Sequence, residues 1–266
     1  GTKILIGVVL ALAIIFGLFF GLSRFITDLM WYGQLGFQSV VWTQLGVKIG
    51  LWVAYALLMA LTGFVSAWLA IRARPDSADG STIRINGDVV EVGKSVSSKT
   101  ARRVAVVISL IVGVIFGSQF NANWSEILLM FNAQSFGTTD PQFGLDNGFY
   151  VFVLPGLKLV LAAVAMLLGV GLVFSVVTHV LMGGIRITMP VNGRGLFSIT
   201  KRCRRQLGIW LMLNMFAWAV RQMIGVFDQL TVQGSRITGA SYTAVHANIP
   251  VTFIMAALTA KIGRAH

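Results

Sequence analysis

Polar and apolar residues fall in long blocks along this chain, without the short periodicity of soluble amphipathic elements. Charge-free apolar blocks cover residues 4–22, 49–71 and 104–125 except for their polar ends, and a fourth covers 159–185. A fifth, at 207–227, carries Arg221 as its one charge, and a sixth opens at Val251 and stops near Ala260. A helix rising ~1.5 Å per residue needs about 20 residues to cross ~30 Å of hydrocarbon. The pattern therefore predicts an all-α fold, a polytopic transmembrane helical bundle. Its spans are expected at about 4–22, 49–71, 104–125, 159–181 and 207–227, with an incomplete one at 251–260. The first block reads as a retained helix, because 19 residues is long for a signal-peptide core and no small-x-small cleavage site follows it.

Composition removes the soluble alternatives. Of 266 residues, 56% are hydrophobic and only 11% charged, against about 25% charged in soluble domains. The net charge of +12 would suit nucleic acid, but the basic side chains lie between the apolar blocks, not along one face, so no nucleic-acid partner is expected. Residues 72–103 hold seven basic and four acidic side chains, and 182–206 hold six basic and none acidic. Residues 104–157 have no Lys or Arg, yet contain Glu126, Asp140 and Asp146. Basic loops remain cytoplasmic, which puts the N-terminus inside and residues 23–47, 126–157 and 228–250 outside. The lipid bilayer is the first partner this implies.

Local chemistry adds detail. Asn86-Gly87, between two β-prone runs, predicts a short cytoplasmic hairpin. Gly93-Lys94-Ser95 follows, but Gly87 and Gly93 enclose five residues where a phosphate loop needs four, so nucleotide binding is rejected. Gly17/Gly21, Gly46/Gly50 and Gly113/Gly117 have the spacing of close helix packing. Residues 120–155 contain an apolar run too short to span, which suits an interfacial outer segment. Glu126, Asp140, Asp146 and Asn147 have the hard oxygens of a cation site; no calcium-loop spacing supports it, and turn and helix capping by the aspartates takes precedence. Phe149, Tyr150 and Phe152 suit headgroup depth. Arg221 and Lys158 read as side chains snorkelling to the outer interface, and Asn214 as a hydrogen-bonding partner to a neighbouring helix. His179 and His246 fall at opposite ends, and Cys203 reads as a bystander thiol in a basic loop, so no transition-metal site, cofactor or catalytic constellation is expected.

Three stretches carry a recognisable pattern: Trp31-Tyr-Gly-Gln-Leu-Gly-Phe37 running into Val41-Trp-Thr43; Asp140-Pro-Gln-Phe-Gly-Leu-Asp-Asn-Gly-Phe-Tyr-Val-Phe-Val-Leu-Pro155; and Gly239-Ala-Ser-Tyr-Thr-Ala-Val-His-Ala-Asn-Ile-Pro250. Together they resemble the membrane half of the bacterial uncharacterised protein family 0182, over about residues 25–260. The resemblance makes Trp31, Asp140, Pro141, Phe143, Gly144, Asp146, Phe149, Tyr150, Pro155, Ser241, Tyr242, Thr243, His246 and Pro250 the outer-face residues of interest. It implies about seven spans in a bacterial cytoplasmic membrane, followed by a large extracytoplasmic region, and it implies no activity. Ala244 departs from the pattern, which usually has Asp there.

Lys261-Ile-Gly-Arg-Ala-His266 is one reading frame of AAGATCGGAAGAGCACAC, which contains the start of a common short-read sequencing adapter. Residues 261–266 are accordingly expected to be non-native, with the native chain continuing, and Gly1 in place of Met suggests a processed or cut start. The first function expected is a membrane scaffold that anchors an extracytoplasmic region of the same protein. The alternative is a transporter or channel with a path near Arg221 and Asn214. An enzyme using the outer carboxylates is the third class, and the oligomeric state stays open.

Overall fold

Helical hydrogen bonding carries through the charges that end the apolar blocks. The computed structural model describes residues 2–73, 81–85, 88–92, 97–187, 197–231 and 239–264. Helix α1 spans Thr2–Gln34 and α2 Gln38–Arg72. They are followed by α3 (Ser98–Asn121), α4 (Trp124–Phe131) and α5 (Leu154–Leu181). After them come α6 (Lys201–Gly225) and α7 (Ile249–Arg264). Two short antiparallel strand pairs lie between the helices: β1 (Ser81–Ile85) with β2 (Asp88–Val92), and β3 (Ile185–Ile187) with β4 (Phe197–Ile199). The Asn86-Gly87 turn and the Gly93-Lys94-Ser95 stretch fall outside the described residues.

The chain separates into two compact units, residues 1–51 and 52–266. In the first, residues 23–47 are expected as a loop and are instead almost wholly helical. The exception is a tight turn at 35–37, where Gly36 adopts φ +76°. That left-handed residue lets the Gly36 amide donate to the Gly33 carbonyl at 3.2 Å and the Phe37 amide to the Tyr32 carbonyl at 2.9 Å, closing the last turn of α1. Charges such as Arg24 and Asp28 end a hydropathy window but cost a helix little.

In the second unit, small residues set the helix packing. A Cβ added at Gly113 of α3 would stand 2.5 Å from the Ala56 carbonyl oxygen of α2, and one at Gly117 would press on Trp52 and Ala56 at 3.0 Å. Trp52 Nε1 donates to the Val114 carbonyl at 3.4 Å across the same seam. Gly171 of α5 seats the Trp210 ring of α6. A Cβ at Gly17, Gly21, Gly46 or Gly50 would meet nothing within 4 Å. Of the three glycine spacings, only the one on α3 is a packing seam among the described residues. The Tyr55 hydroxyl donates to the Ala163 carbonyl at 3.1 Å, and Gly63 lies against Ser109 and Phe174. Helices α2 and α5 thus run parallel, while α3 and α6 run against them.

The buried side chains are mostly small, among them Ser66, Ala67, Ala70, Ser109, Ser175, Ala217 and Ala219. Large apolar ones point outward, for example Ile111, Val114 and Ile115 on α3 and Val173 and Leu181 on α5. Among the described residues, four helical stretches are long and apolar enough to cross a membrane: Gln38–Arg72, Ser98–Ser118, Phe149–Leu181 and Lys201–Leu230.

Candidate functional site

At the end of the bundle where α5 begins and α6 finishes, two carboxylates tie a loop into a fixed shape. Asp140 is 8% exposed. Its Oδ1 accepts from the amides of Gln142 and Phe143 at 2.8 and 2.6 Å, and its Oδ2 from the Leu145 amide at 2.9 Å and the Tyr150 hydroxyl at 2.7 Å. Asp146 accepts from the Ser135 hydroxyl at 2.6 Å and from the amides of Phe136, Gly137 and Gly148 at 2.7–3.0 Å. A bridge pairs Thr139 with Asp146, and Gly144 closes the turn after Pro141 with φ +68°. Burial pushes the Asp140 carboxyl up, but the donated hydrogen bonds outweigh it and hold it below the usual carboxylate value. The Ser135 hydroxyl, with the Phe136 and Gly148 amides, brings Asp146 down to about 2. Both groups spend their oxygens on the loop itself, as capping predicts.

The aromatic residues of this stretch knit the loop to the helices. Phe143, Phe149 and Tyr150 surround Phe227, with ring centroids 4.9, 5.5 and 6.5 Å away, and Phe152 meets Phe136 at 5.5 Å. Phe227 lies in the 3₁₀ turn Val226–Leu230 that ends α6, and nothing in the sequence pattern singles it out. Phe149, Tyr150 and Phe152, expected as a belt at headgroup depth, are thus ring-packing partners at this end of the bundle.

Two π-helical turns, Phe149–Val153 and Ala244–Asn248, lead into α5 and α7. One residue separates each from a proline, Pro155 and Pro250. Proline has no N–H to donate and its ring clashes with the carbonyl four residues back. A widened turn with i→i+5 bonding relieves both, and the Leu154 amide duly donates to the Phe149 carbonyl and the Ile249 amide to that of Ala244. Ser241 Oγ accepts from the Ala244 amide at 3.2 Å and lies 2.9 Å from Thr243 Oγ1. Tyr242 stacks on His246 at 4.0 Å. Trp31, on α1, is half exposed and meets Tyr32 edge-on at 4.9 Å.

Beside the loop is a pocket of about 560 Å³ whose lining includes Asn123, Glu126, Lys158, Trp218, Arg221 and Asp228. Lys158 Nζ lies 2.8 Å from both carboxylate oxygens of Asp228. Lys158, expected as an interfacial anchor, thus has an ion-pair partner in the turn that ends α6. A second pocket of about 460 Å³, lined by Ala165, Asn214, Met215, Trp218, Arg221 and Thr259, shares Arg221 and Trp218 with the first. Asn214 donates to the Leu168 carbonyl of α5 at 3.0 Å and to Trp210 in its own helix at 2.8 Å.

At the opposite end of α5, buried His179 places Nε2 3.0 Å from Gln206 Oε1, while Gln206 Nε2 donates to the Ser66 carbonyl at 2.9 Å. This link joins α5, α6 and α2. Cys203, expected in a loop, is fully buried in the first turn of α6, where Thr200 caps the helix by accepting from the Cys203 amide. Helix α6 starts at Lys201, inside the basic run, because capping and not hydropathy decides where it begins. Glu126 lines the pocket, whereas Asp140 and Asp146 are committed to the loop, so the three weak cation candidates do not share one site. Among the described residues, no three of His, Cys, Asp or Glu gather as metal ligands would.

Residues 5–265 match the profile described as Uncharacterised protein family (UPF0182). A UPF0182 protein of Bifidobacterium longum is 98% identical over 98% of this chain and 25% of its own length. One from Bifidobacterium adolescentis is 76% identical over 99% of the chain and 24% of its own length. One from Corynebacterium efficiens is 30% identical over 94% of the chain and 24% of its own length. The chain thus spans about a quarter of the length of the curated relatives it matches. No solved structure matches it.

Proposed function

Because the chain belongs to Uncharacterised protein family (UPF0182), whose matched members are about four times as long, we propose that it is the membrane-embedded part of a bacterial cytoplasmic-membrane protein that anchors and organises an extracytoplasmic region. The burial pattern supports embedding: about half of the buried side chains are small or polar, and many large apolar ones are exposed, the arrangement that suits lipid. The loop charges orient it with the N-terminus, the β1–β2 hairpin and the β3–β4 pair cytoplasmic. The observation that carries anchoring is the loop at 135–150. Its two carboxylates accept eight hydrogen bonds from within the loop and from Tyr150. Such a loop is a rigid platform on the outer face, suited to hold a partner.

The test expresses the membrane part and the remainder of a full-length relative as separate polypeptides in one bacterium. Co-purification that Asp140→Ala weakens supports anchoring. A remainder that is exported and folded yet never retained by the membrane part refutes it. A transport reading has one observation of its own, Arg221 shared between the outer pocket and the one reaching Asn214. Labelling of a cysteine at Asn214 by a membrane-impermeant reagent in intact cells would favour that reading.

A further inference from the structure

Four charges line the outer pocket: Glu126, Lys158, Arg221 and Asp228. Two of them neutralise each other, since Lys158 holds both oxygens of Asp228 at 2.8 Å. The side chains of the other two, Arg221 and Glu126, have no hydrogen bond or ion pair among the described residues. A lone cation and a lone anion beside apolar helix faces are costly in lipid unless something satisfies them. A simple anion would suit Arg221 but meet Glu126, and a simple cation the reverse. A ligand carrying both charges satisfies both groups. The remaining wall includes Leu159, Leu161, Ala162 and Trp218, which suits hydrocarbon, and the volume of about 560 Å³ lies within the ordinary range for small-molecule sites.

We propose that this pocket binds the headgroup of a zwitterionic phospholipid, with the phosphate on Arg221 and the ammonium on Glu126. Guanidinium matches phosphate in both charge and fork geometry, and a carboxylate accepts the ammonium protons. Trp218 and the leucines face the glycerol and acyl chains. The assignment rests on the membrane-embedded reading given above.

The experiment is native mass spectrometry of the detergent-solubilised protein titrated with dioleoyl phosphatidylethanolamine, dioleoyl phosphatidylglycerol or free O-phosphoethanolamine. Phosphatidylethanolamine is expected to be retained over phosphatidylglycerol. Arg221→Gln and Glu126→Gln should each weaken it about tenfold, the size of one charge-assisted hydrogen bond, while Arg103→Gln leaves it unchanged. Neither glutamine substitution removes a contact within the protein, so both variants should fold. Glu126→Gln also leaves the lining net positive and should shift the preference toward phosphatidylglycerol, a gain that misfolding cannot mimic.

Unchanged phosphatidylethanolamine binding in both glutamine variants overturns the proposal. So does a wild-type preference for phosphatidylglycerol, which would mean a plain anion site. Displacement by the free headgroup at the lipid's own concentration overturns it in favour of a soluble ligand. Extraction by alkaline carbonate is the separate control: release of the protein without detergent defeats the membrane reading itself, whatever the lipid results.

Discussion

Replacing Asp140 by alanine removes the acceptor for three amides and one phenol at once. The group is 8% exposed, and the bonds run from 2.6 to 2.9 Å. A hydrogen bond to a charged group contributes about 1.5–3 kcal/mol. The loop is at the rim of the fold, so water takes over part of the lost bonding. A net cost of about 3 kcal/mol to the loop's closed form is a reasonable sum, and at ~1.4 kcal/mol per decade that is about a hundredfold in its opening equilibrium. Hydrogen exchange by mass spectrometry, in detergent micelles near neutral pH, reads this opening directly. The amides of Gln142, Phe143 and Leu145 should exchange about a hundredfold faster, while those in the middle of α5 stay protected. Asp140→Asn keeps one carbonyl oxygen and should cost about half as much. Tyr150→Phe removes one donor and should cost about 1.5 kcal/mol. Wild-type exchange rates in the alanine variant, with α5 intact, would refute the claim that the carboxylate organises the loop.

Three further outcomes follow from the same geometry. Asp146 titrates near 2 in the folded protein, against about 3.9 for an ordinary aspartate. A depressed value means its contribution is complete above pH ~4 and lost as pH falls toward ~2. Exchange at Phe136 and Gly137, corrected for intrinsic rate, should therefore be flat from pH 8 to 5 and rise below about 4; loosening between pH 6 and 8 would contradict it. Gly113→Leu drives a side chain into the Ala56 carbonyl and should destabilise the bundle by about 1–3 kcal/mol or more. Gly46→Leu, with nothing within 4 Å of its Cβ, should stay within about 0.5 kcal/mol in the same thermal melt. Gln206→Leu breaks the link between His179 and the Ser66 carbonyl and leaves buried groups unpaired, at about 1–3 kcal/mol; an unchanged melt would show that the link is incidental.

Hydropathy located the apolar core of each long helix and missed the ends, for a physical reason. A window of apolar residues measures what depth of the chain tolerates lipid, whereas a helix ends where its backbone bonds are capped. Thus α1 runs past Arg24 and Asp28 to a left-handed Gly36, and α6 starts at the Thr200 cap inside a basic run. The capping role of the two aspartates was readable, because Asp-Pro and Asp-Asn-Gly are turn chemistry with a mechanism. The interhelical bond of Asn214 was readable for the same kind of reason, since an amide in the middle of an apolar block must find a partner. Phe227 was not: an aromatic at the end of an apolar block looks like any other until the loop folds over it. The Lys158–Asp228 pair, 70 residues apart, needed the helix register, which no single block contains.

The three motifs behind the family resemblance prove to be devices of backbone geometry. The Trp31 motif ends in the Gly36 turn; the second holds the carboxylate-tied loop, the left-handed Gly144 and a π turn before Pro155; the third holds the Ser241 cap and a π turn before Pro250. A loop that must keep its shape needs particular glycines, prolines and aspartates, so its sequence is specific even where it performs no reaction. The pocket is built otherwise: Glu126, Lys158, Arg221 and Asp228 all lie outside the three motifs and come together only through packing. Recognition by motif therefore reads backbone scaffold, within each compact unit by itself. If a ligand is bound here, the residues that choose it are the four charges between the helices, and substitution there should change what is bound while the loop remains closed.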